Sequence, residues 1–322
     1  MSKALEHIIS SLNNAHLYST DDKPSLFAVD SDSPVDLNKS FKTLCASKGV
    51  LTITGEQRLK FLQGQVTCDT SKITLEKASF GAFCSLKGRV IANFLAFDND
   101  QSTHLIMSQD LIDDLITHLT KYAVFSKVTL TNASNELFVL GSNTPSASSE
   151  SLSVTNTTDS TQLSISNDRC LIITSADNAF KQLKTEEQLT NEHCWNELDI
   201  RDHISWISKE TSDVFLPQLL GLEEKEGLSF NKGCYTGQEI IARMKYRGQL
   251  KRQLFLVELS SEEKIEVSEG TKIDSENKKN IGQIVNIQSY GDGHIALITL
   301  ENDYISNTVF LVNGSKVELV IK

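Results

Sequence analysis

The sequence predicts an α+β region over residues 1–248, followed over residues 249–322 by an all-β domain, either a small barrel or a sandwich. Three observations carry this. The chain has 322 residues, enough at roughly 100 to 200 per domain for two or three separate cores. Up to Gln249, short runs with a two-residue apolar period are interleaved with runs of helical period. Beyond it only short β-branched runs occur, at a spacing that suits about 70 residues of closed or stacked sheet.

Taken in order, Val50 to Thr54 is an alternating strand broken by Gly55, and Glu56 to Leu62 carries Leu59 and Leu62 at helical spacing. Arg89 to Phe97 and Thr103 to Met107 flank the turn-rich tetrad Asp98-Asn99-Asp100-Gln101, which predicts a hairpin. Leu111, Ile112, Leu115, Ile116, Leu119 and Tyr122 line one face of a helix over residues 110–122, with Ser108 placed to cap it. Strands are expected at residues 127–131 and 136–140. Residues 141–162 hold fourteen Ser, Thr or Asn residues and read as a mobile surface loop. Strands around an Asn167-Asp168 turn and a helix over residues 177–189 follow. The C-terminal runs are 254–259, 281–287, 295–300, 309–312 and 317–321, several of them separated by Gly291-Asp292-Gly293 or Asn313-Gly314 turns.

Composition narrows the function. A net charge of -11 repels phosphate backbones and anionic membranes on average, so nucleic-acid contact needs a local basic patch. No apolar stretch approaches the length that spans a bilayer, and residues 1–12 lack the pattern of a signal peptide. A cytoplasmic chain is expected. The six cysteines have no C-x-x-C pairing, the usage of a reducing compartment, and no metal is expected to be bound by this chain alone.

The densest chemical feature is Asn231-Lys232-Gly233-Cys234-Tyr235-Thr236-Gly237-Gln238-Glu239. Thr236 and Glu239 stand three apart before an apolar-periodic run, the capping-box spacing. This predicts a helix from Thr236 to about Tyr246, stopped by Gly248. Cys234 then precedes a helix N-terminus, where the macrodipole and Lys232 favour a thiolate; a buried thiol near a tight turn accounts for the same residue equally well. The window from Lys232 to Arg252 holds six basic residues, Lys232, Arg243, Lys245, Arg247, Lys251 and Arg252, against Glu239 alone. It is an anion-binding candidate, the competing reading being a solvated helix face whose long cations cover apolar surface.

The run K-G-C-Y-T-G-Q-E at 232–239 resembles the signature of the bacterial YgfZ family, folate-binding relatives of the glycine-cleavage T-protein. Four ordered blocks strengthen the resemblance: T-I-T-G at 52–55, F-L-Q-G-Q-V-T at 61–67, K-Y-A-V-F-S-K-V at 121–128 and F-L-P-Q at 215–218. It implies two ferredoxin-like, T-protein-like α+β domains around a central folate pocket, with a C-terminal β-barrel. It also implies a tetrahydrofolate derivative as cofactor, contacted by Trp195, Lys232, Tyr235, Gln238 and Glu239, and Cys234 as a redox or sulfur-handling thiol.

The resemblance further implies an accessory role in maintaining iron–sulfur enzymes, including those that thiolate tRNA. Its expected partners are folate and those client enzymes; direct tRNA binding is not favoured, and a membrane is not expected. Enzyme action by this chain is the weaker expectation. In the T-protein a strand carboxylate assists methylene transfer, whereas the matching positions here are Ala92 and Asn93, which cannot ionise. Lys48 replaces a second pocket Trp, and Arg201-Asp202-His203 stands where relatives show Glu-Ala-Gly. A folate-dependent aminomethyl transferase is the alternative function. A Cys hydrolase is set aside, because no His lies between His203 and His294.

Overall fold

The computed structural model describes residues 3–12, 15–18, 26–29, 37, 39–145, 148, 150–184, 188–263 and 265–322. The chain divides into two compact units: Met1–Gly64, Cys68–Gly81 and Phe94–Trp195 in one, and Gln65–Thr67, Ala82–Asn93 and Asn196–Lys322 in the other.

In the first unit a six-stranded sheet runs in the order Val154–Asn156, Ser160–Ser166, Arg169–Thr174, Phe138–Ser142, Phe41–Leu44, Gln188–Leu189. Its last pair is parallel and the others antiparallel. The helices Lys3–Ser10 and Ala176–Leu183 cover it, burying Ile8, Leu44, Leu140, Ile172, Ala179 and Leu183 in one core. The polar stretch 141–162 is therefore not a loop throughout. It contains the strand Val154–Asn156 and the start of Ser160–Ser166, whose short Ser/Thr side chains suit a sheet edge; residues 146, 147 and 149 lie outside the described residues. The helix expected over 177–189 stops at Leu183 and a two-residue strand occupies Gln188–Leu189, with residues 185–187 also undescribed.

A second sheet has the order Ser79–Cys84, Val90–Asp98, Ser102–Ser108, Lys48–Thr54, Thr129–Asn132. The expected hairpin is its centre. Asp98 and Asn99 close the turn by accepting the backbone N–H groups of Asp100 and Ser102, each at 2.8 Å. Asp98 also receives Arg58 through two hydrogen bonds, at 2.8 and 3.0 Å, and the Thr103 hydroxyl at 2.6 Å.

The helix Ile112–Ser126 buries Ile112, Leu115, Leu119 and Ala123 at helical spacing, as the sequence predicts. Its start differs. A 3-10 turn, Gln109–Leu111, precedes it, and Ser108 makes no side-chain cap bond. The two Asp residues of the first turn, Asp113 and Asp114, favour the N-terminus electrostatically instead.

In the second unit the C-terminal runs form a closed six-stranded barrel, Arg252–Ser260, Gly293–Glu301, Gly282–Tyr290, Lys272–Asp274, Val309–Val312, Ser315–Ile321. The expected runs are thus a barrel rather than a sandwich, with Lys272–Asp274 an addition hidden among charged residues. Closure comes from Arg252–Ser260, which pairs with both Gly293–Glu301 and Ser315–Ile321 and leaves no free edge on that side. Asn313 and Gly314 both have positive φ, 51° and 87°, as a two-residue hairpin turn requires. Along Ser315–Ile321 the buried Val317 and Leu319 alternate with exposed Glu318 and Val320, so one face fills the barrel.

Among the described residues no helix is long and apolar enough to cross a membrane.

Candidate functional site

The motif loop of the second unit is held by groups far away in sequence. Thr67 bonds it twice: its carbonyl accepts the Ser229 N–H at 2.9 Å, and its hydroxyl donates to the Gly227 carbonyl at 2.6 Å. That hydroxyl also accepts the Ala82 N–H at 2.9 Å. Lys232 donates to the Val66 carbonyl at 2.7 Å, and its ammonium lies 5.0 Å from the centre of the Tyr235 ring. Lys232 is thus a tether between the motif and residues 65–67.

The turn into the helix Gln238–Arg247 depends on two glycines. Gly237 has φ +83°, and a Cβ there would come within 2.5 Å of the Ser85 carbonyl oxygen and 3.0 Å of the Gly88 Cα. Gly88, at φ +71°, would meet Ile240 at 3.0 Å. Only the missing side chains let the two turns lie against each other.

The expected Thr236 cap is not formed. Gly237 is the cap residue, in the left-handed region and without a side-chain bond. Gln238 closes the turn, its Oε1 accepting the Tyr235 N–H at 3.1 Å. The capping-box spacing fails here because close packing on Ser85 and Gly88 demands a positive φ at 237, which takes Thr236 out of the cap position. The helix ends where the sequence places it, at Arg247 before Gly248. Gln218 of the F-L-P-Q block donates to the Ile241 carbonyl at 3.0 Å. Its Oε1 is buried with no partner among the described residues.

On this scaffold Cys234 is exposed. Of the other cysteines, all within the described residues, four are buried and Cys194 is half-buried. Cys84 makes the contrast: burial, then the nearby Asp213 charge, push its thiol up to about 12, so it stays protonated and unreactive at neutral pH. Glu239 is exposed at the start of the helix and Tyr235 is buried.

The basic window divides. Lys245 is ion-paired with Glu223 and sits over the Phe230 ring. Arg252 belongs to the barrel, bonded to the Asn280 carbonyl and 3.7 Å from Glu301. Arg243, Arg247 and Lys251 are exposed and have no ion pair among the described residues.

Asn93 belongs to the same unit and is 2% exposed. Its Nδ2 donates to the Ser205 carbonyl at 2.7 Å and its Oδ1 accepts the Ile207 N–H at 2.8 Å. From the barrel, Asn286 grips the intervening residue in the same way: Oδ1 accepts the Trp206 N–H and Nδ2 donates to the Trp206 carbonyl, both at 2.9 Å. Trp206 further donates its indole N–H to Asp199 at 2.8 Å. Sequence reasoning passed over Trp206 and Asn286; their signal is pairing between distant segments, which spacing does not show. Arg201 bonds Glu197 at 2.7 Å and its guanidinium lies 5.0 Å from the Tyr290 ring centre.

Trp195 belongs to the first unit and is 1% exposed. Gly141 backs the indole so closely that a Cβ would approach its ring at 2.3 Å, and the Arg169 guanidinium lies 4.7 Å from the ring centre. The indole therefore already has one flat stacking partner. Nearby in sequence, Glu192 is fully buried and accepts the Phe27 N–H at 3.2 Å, the Ser47 N–H at 3.0 Å and the Ser47 hydroxyl. Burial pushes its carboxyl above the usual range, against the pull of those donors and of the Lys48 charge.

No family model matches the chain. Among curated proteins it is similar to the "tRNA-modifying protein YgfZ" of Aliivibrio fischeri, with 33% identity over 289 residues covering 84% of this chain and 89% of the relative. The proteins of that name from Klebsiella pneumoniae and Photobacterium profundum are 32% and 31% identical, each covered over more than four fifths of its length. The chain belongs to the YgfZ family. Among solved structures this YgfZ family member resembles the glycine cleavage system aminomethyltransferase T of Bartonella henselae, with a TM-score of 0.77 over 100% of this chain and 96% of that one. At 10% identity the likeness is one of fold. The YgfZ family member thus has a T-protein-like fold, as its motif blocks imply.

No group of three or more His, Cys, Asp or Glu side chains is placed to hold a metal ion among the described residues.

Proposed function

We propose that this protein is a folate-binding accessory factor supporting iron–sulfur enzymes that modify tRNA, with Cys234 as its working thiol. The observation that carries the reading is Cys234 itself, an exposed cysteine held on a loop fixed from beneath by Thr67, Lys232 and the Gly237–Gly88 contact. Membership of a family whose relatives are named for tRNA modification supports the RNA-linked role.

The folate supplies a flat pterin and an anionic tail. Within the second unit this reading assigns Lys232, Tyr235, Gln238 and Glu239 to it; Trp195, 1% exposed between Gly141 and Arg169 of the first unit, is assigned a ring contact by the family resemblance alone. The T-protein fold also suits aminomethyl transfer, but the positions matched to its acidic pair are Ala92, which is apolar, and Asn93, an amide. Both ends of that amide are engaged by the backbone. The accessory role is therefore preferred to a transferase.

Complementation tests the role of the thiol. A strain lacking this protein should regain thiolated tRNA and iron–sulfur enzyme activity with the wild-type gene and not with Cys234→Ser at equal protein level. Full rescue by the variant removes Cys234 from the mechanism. For the cofactor, tetrahydrofolate at about 100 times its dissociation constant should raise the unfolding free energy by roughly 2.7 kcal/mol. No rise in Tm at millimolar folate sinks the folate assignment.

A further inference from the structure

The outer face of the helix Gln238–Arg247 combines features that neither the fold nor the thiol requires. Arg243 and Arg247 stand four apart, hence on one side of the helix, and Lys251 lies in the segment that follows Gly248. All three are exposed and without an ion pair among the described residues, in contrast to Lys245 and Arg252. Between the two arginines is Tyr246, 69% exposed, its ring set edge-on against Phe230 at 5.8 Å and 70°. Phe230 limits its rotation and leaves most of the ring in water. Leu86, 84% exposed, belongs to the turn whose Gly88 touches Ile240 of this helix. The acidic groups nearby are Glu239 on the same helix, Glu224, and Glu223, which Lys245 neutralises.

Two simpler accounts fall short. Cations at a helix C-terminus favour the macrodipole, which explains Arg247 but not an aromatic ring held in solvent. Long cations covering apolar surface would themselves be half-buried, whereas these are exposed. An exposed ring flanked by unpaired cations, in a chain of net charge -11, matches the chemistry that binds unpaired nucleic acid: cations on phosphates and an aromatic face for a base. An acidic protein would use the cations and leave the ring idle.

We infer that this face is an RNA-docking strip, with Arg243, Arg247 and Lys251 on successive phosphates and Tyr246 stacked on an unpaired base. The ten-residue helix is about 15 Å long. The strip thus runs from the middle of the helix past its C-terminus, and Cys234 lies four residues before the helix's first residue. The inference deepens the tRNA-linked reading and rests on it, but not on folate.

The test is anisotropy titration of the full chain against a fluorescein-labelled, unmodified tRNA transcript between 50 and 200 mM salt. Wild type should bind with a log–log salt slope to which each phosphate contact adds about 0.7 to 0.9. The triple variant Arg243→Ala, Arg247→Ala, Lys251→Ala should bind at least tenfold more weakly and lose about two from that slope. Tyr246→Ala should weaken binding several-fold with the slope unchanged. Lys272→Ala on the barrel should match wild type. Failure of wild type to bind at 50 mM salt, an unaltered slope in the triple variant, or equally tight binding of poly-glutamate overturns the strip. Circular dichroism and Tm establish that the variants are folded. An unchanged tetrahydrofolate shift in the triple variant separates this outcome from failure of the folate reading.

Discussion

Asn93 and Cys234 belong to the same compact unit and illustrate two ways of placing a polar side chain. Around Asn93 polarity is turned inward: its amide and that of Asn286 clamp residues 205–207, and each donor and acceptor end has a backbone partner. Around Cys234 the polar work is done beneath the loop by Thr67 and Lys232, and the thiol is left in solvent. Rigidity at the motif thus comes from side chains whose polar atoms are turned onto the backbone beneath the loop. The residues that could act contribute little to stability. Substitution at the first kind should therefore cost folding free energy, and at the second kind function.

The strongest way to break that contrast is Asn93→Asp. A carboxylate there would still accept the Ile207 N–H but would face the Ser205 carbonyl with lone pairs instead of a donor. The expected loss is about 2 to 4 kcal/mol in urea unfolding, without any gain of aminomethyl transfer. If the Asn93→Asp protein were as stable as wild type and turned over an aminomethyl donor, the functional preference would be reversed. Next, Gly237→Ala combines a positive φ with a Cβ 2.5 Å from a carbonyl oxygen. It should lose about 1 to 3 kcal/mol and change the rate at which iodoacetamide labels Cys234.

The inward class can be sharpened by titrating two carboxylates of the first unit. For Asp98, burial raises the pKa, but the hydrogen bonds from Arg58, Thr103 and the Asp100 backbone, with the Arg58 charge, outweigh it and leave the carboxyl below its usual range. Its stabilisation is present above the unfolded value, about 3.9, and is lost as pH falls through the lower folded value. Glu192 has the opposite sign. Its folded pKa is raised by burial, so its contribution is full below the unfolded value, about 4.3, and is lost as pH rises through the folded one. Across a Tm series from pH 3 to 8, Asp98→Asn should lessen the acid-side loss and Glu192→Gln should lessen the loss on raising pH. Curves parallel to wild type would show that neither group is coupled to folding.

The smallest effect on stability belongs to the outward class. Cys234→Ser should stay within about 0.5 kcal/mol of wild type. A brief iodoacetamide pulse at neutral pH should label Cys234 ahead of the other cysteines in peptide mapping, with Cys84 untouched. Labelling of Cys84 first would contradict the burial contrast.

Much of this arrangement is legible in the residues. The barrel strands are, because Val317 and Leu319 alternate with Glu318 and Val320, and because Asn313-Gly314 is a turn wherever it stands. The helix Ile112–Ser126 is, because its buried positions repeat at 3.6. Val154–Asn156, Lys272–Asp274 and Gln188–Leu189 are not: each is two or three residues long and has no period to read. At the site, the motif identifies Cys234 and the helix after it, but the Thr236–Glu239 spacing imitates a cap that the packing of Gly237 on Ser85 replaces.

The sequence by itself determined the types of the longer elements, the all-β C-terminus, the motif with its cysteine, and the local surplus of cations, since all of these reside in composition and in periods a few residues long. Tertiary structure alone decided which cations are already paired. Lys245 meets Glu223 and Arg252 meets Glu301, while Arg243, Arg247 and Lys251 meet none among the described residues. It likewise decided that Asn93 is a clamp, that Arg169 covers Trp195, and that Cys234 is exposed where Cys84 is sealed. The physical reason is common to all of them. Burial, ion pairing and hydrogen bonding depend on which distant segments the chain brings into contact, and the spacing of neighbouring residues carries no record of those partners.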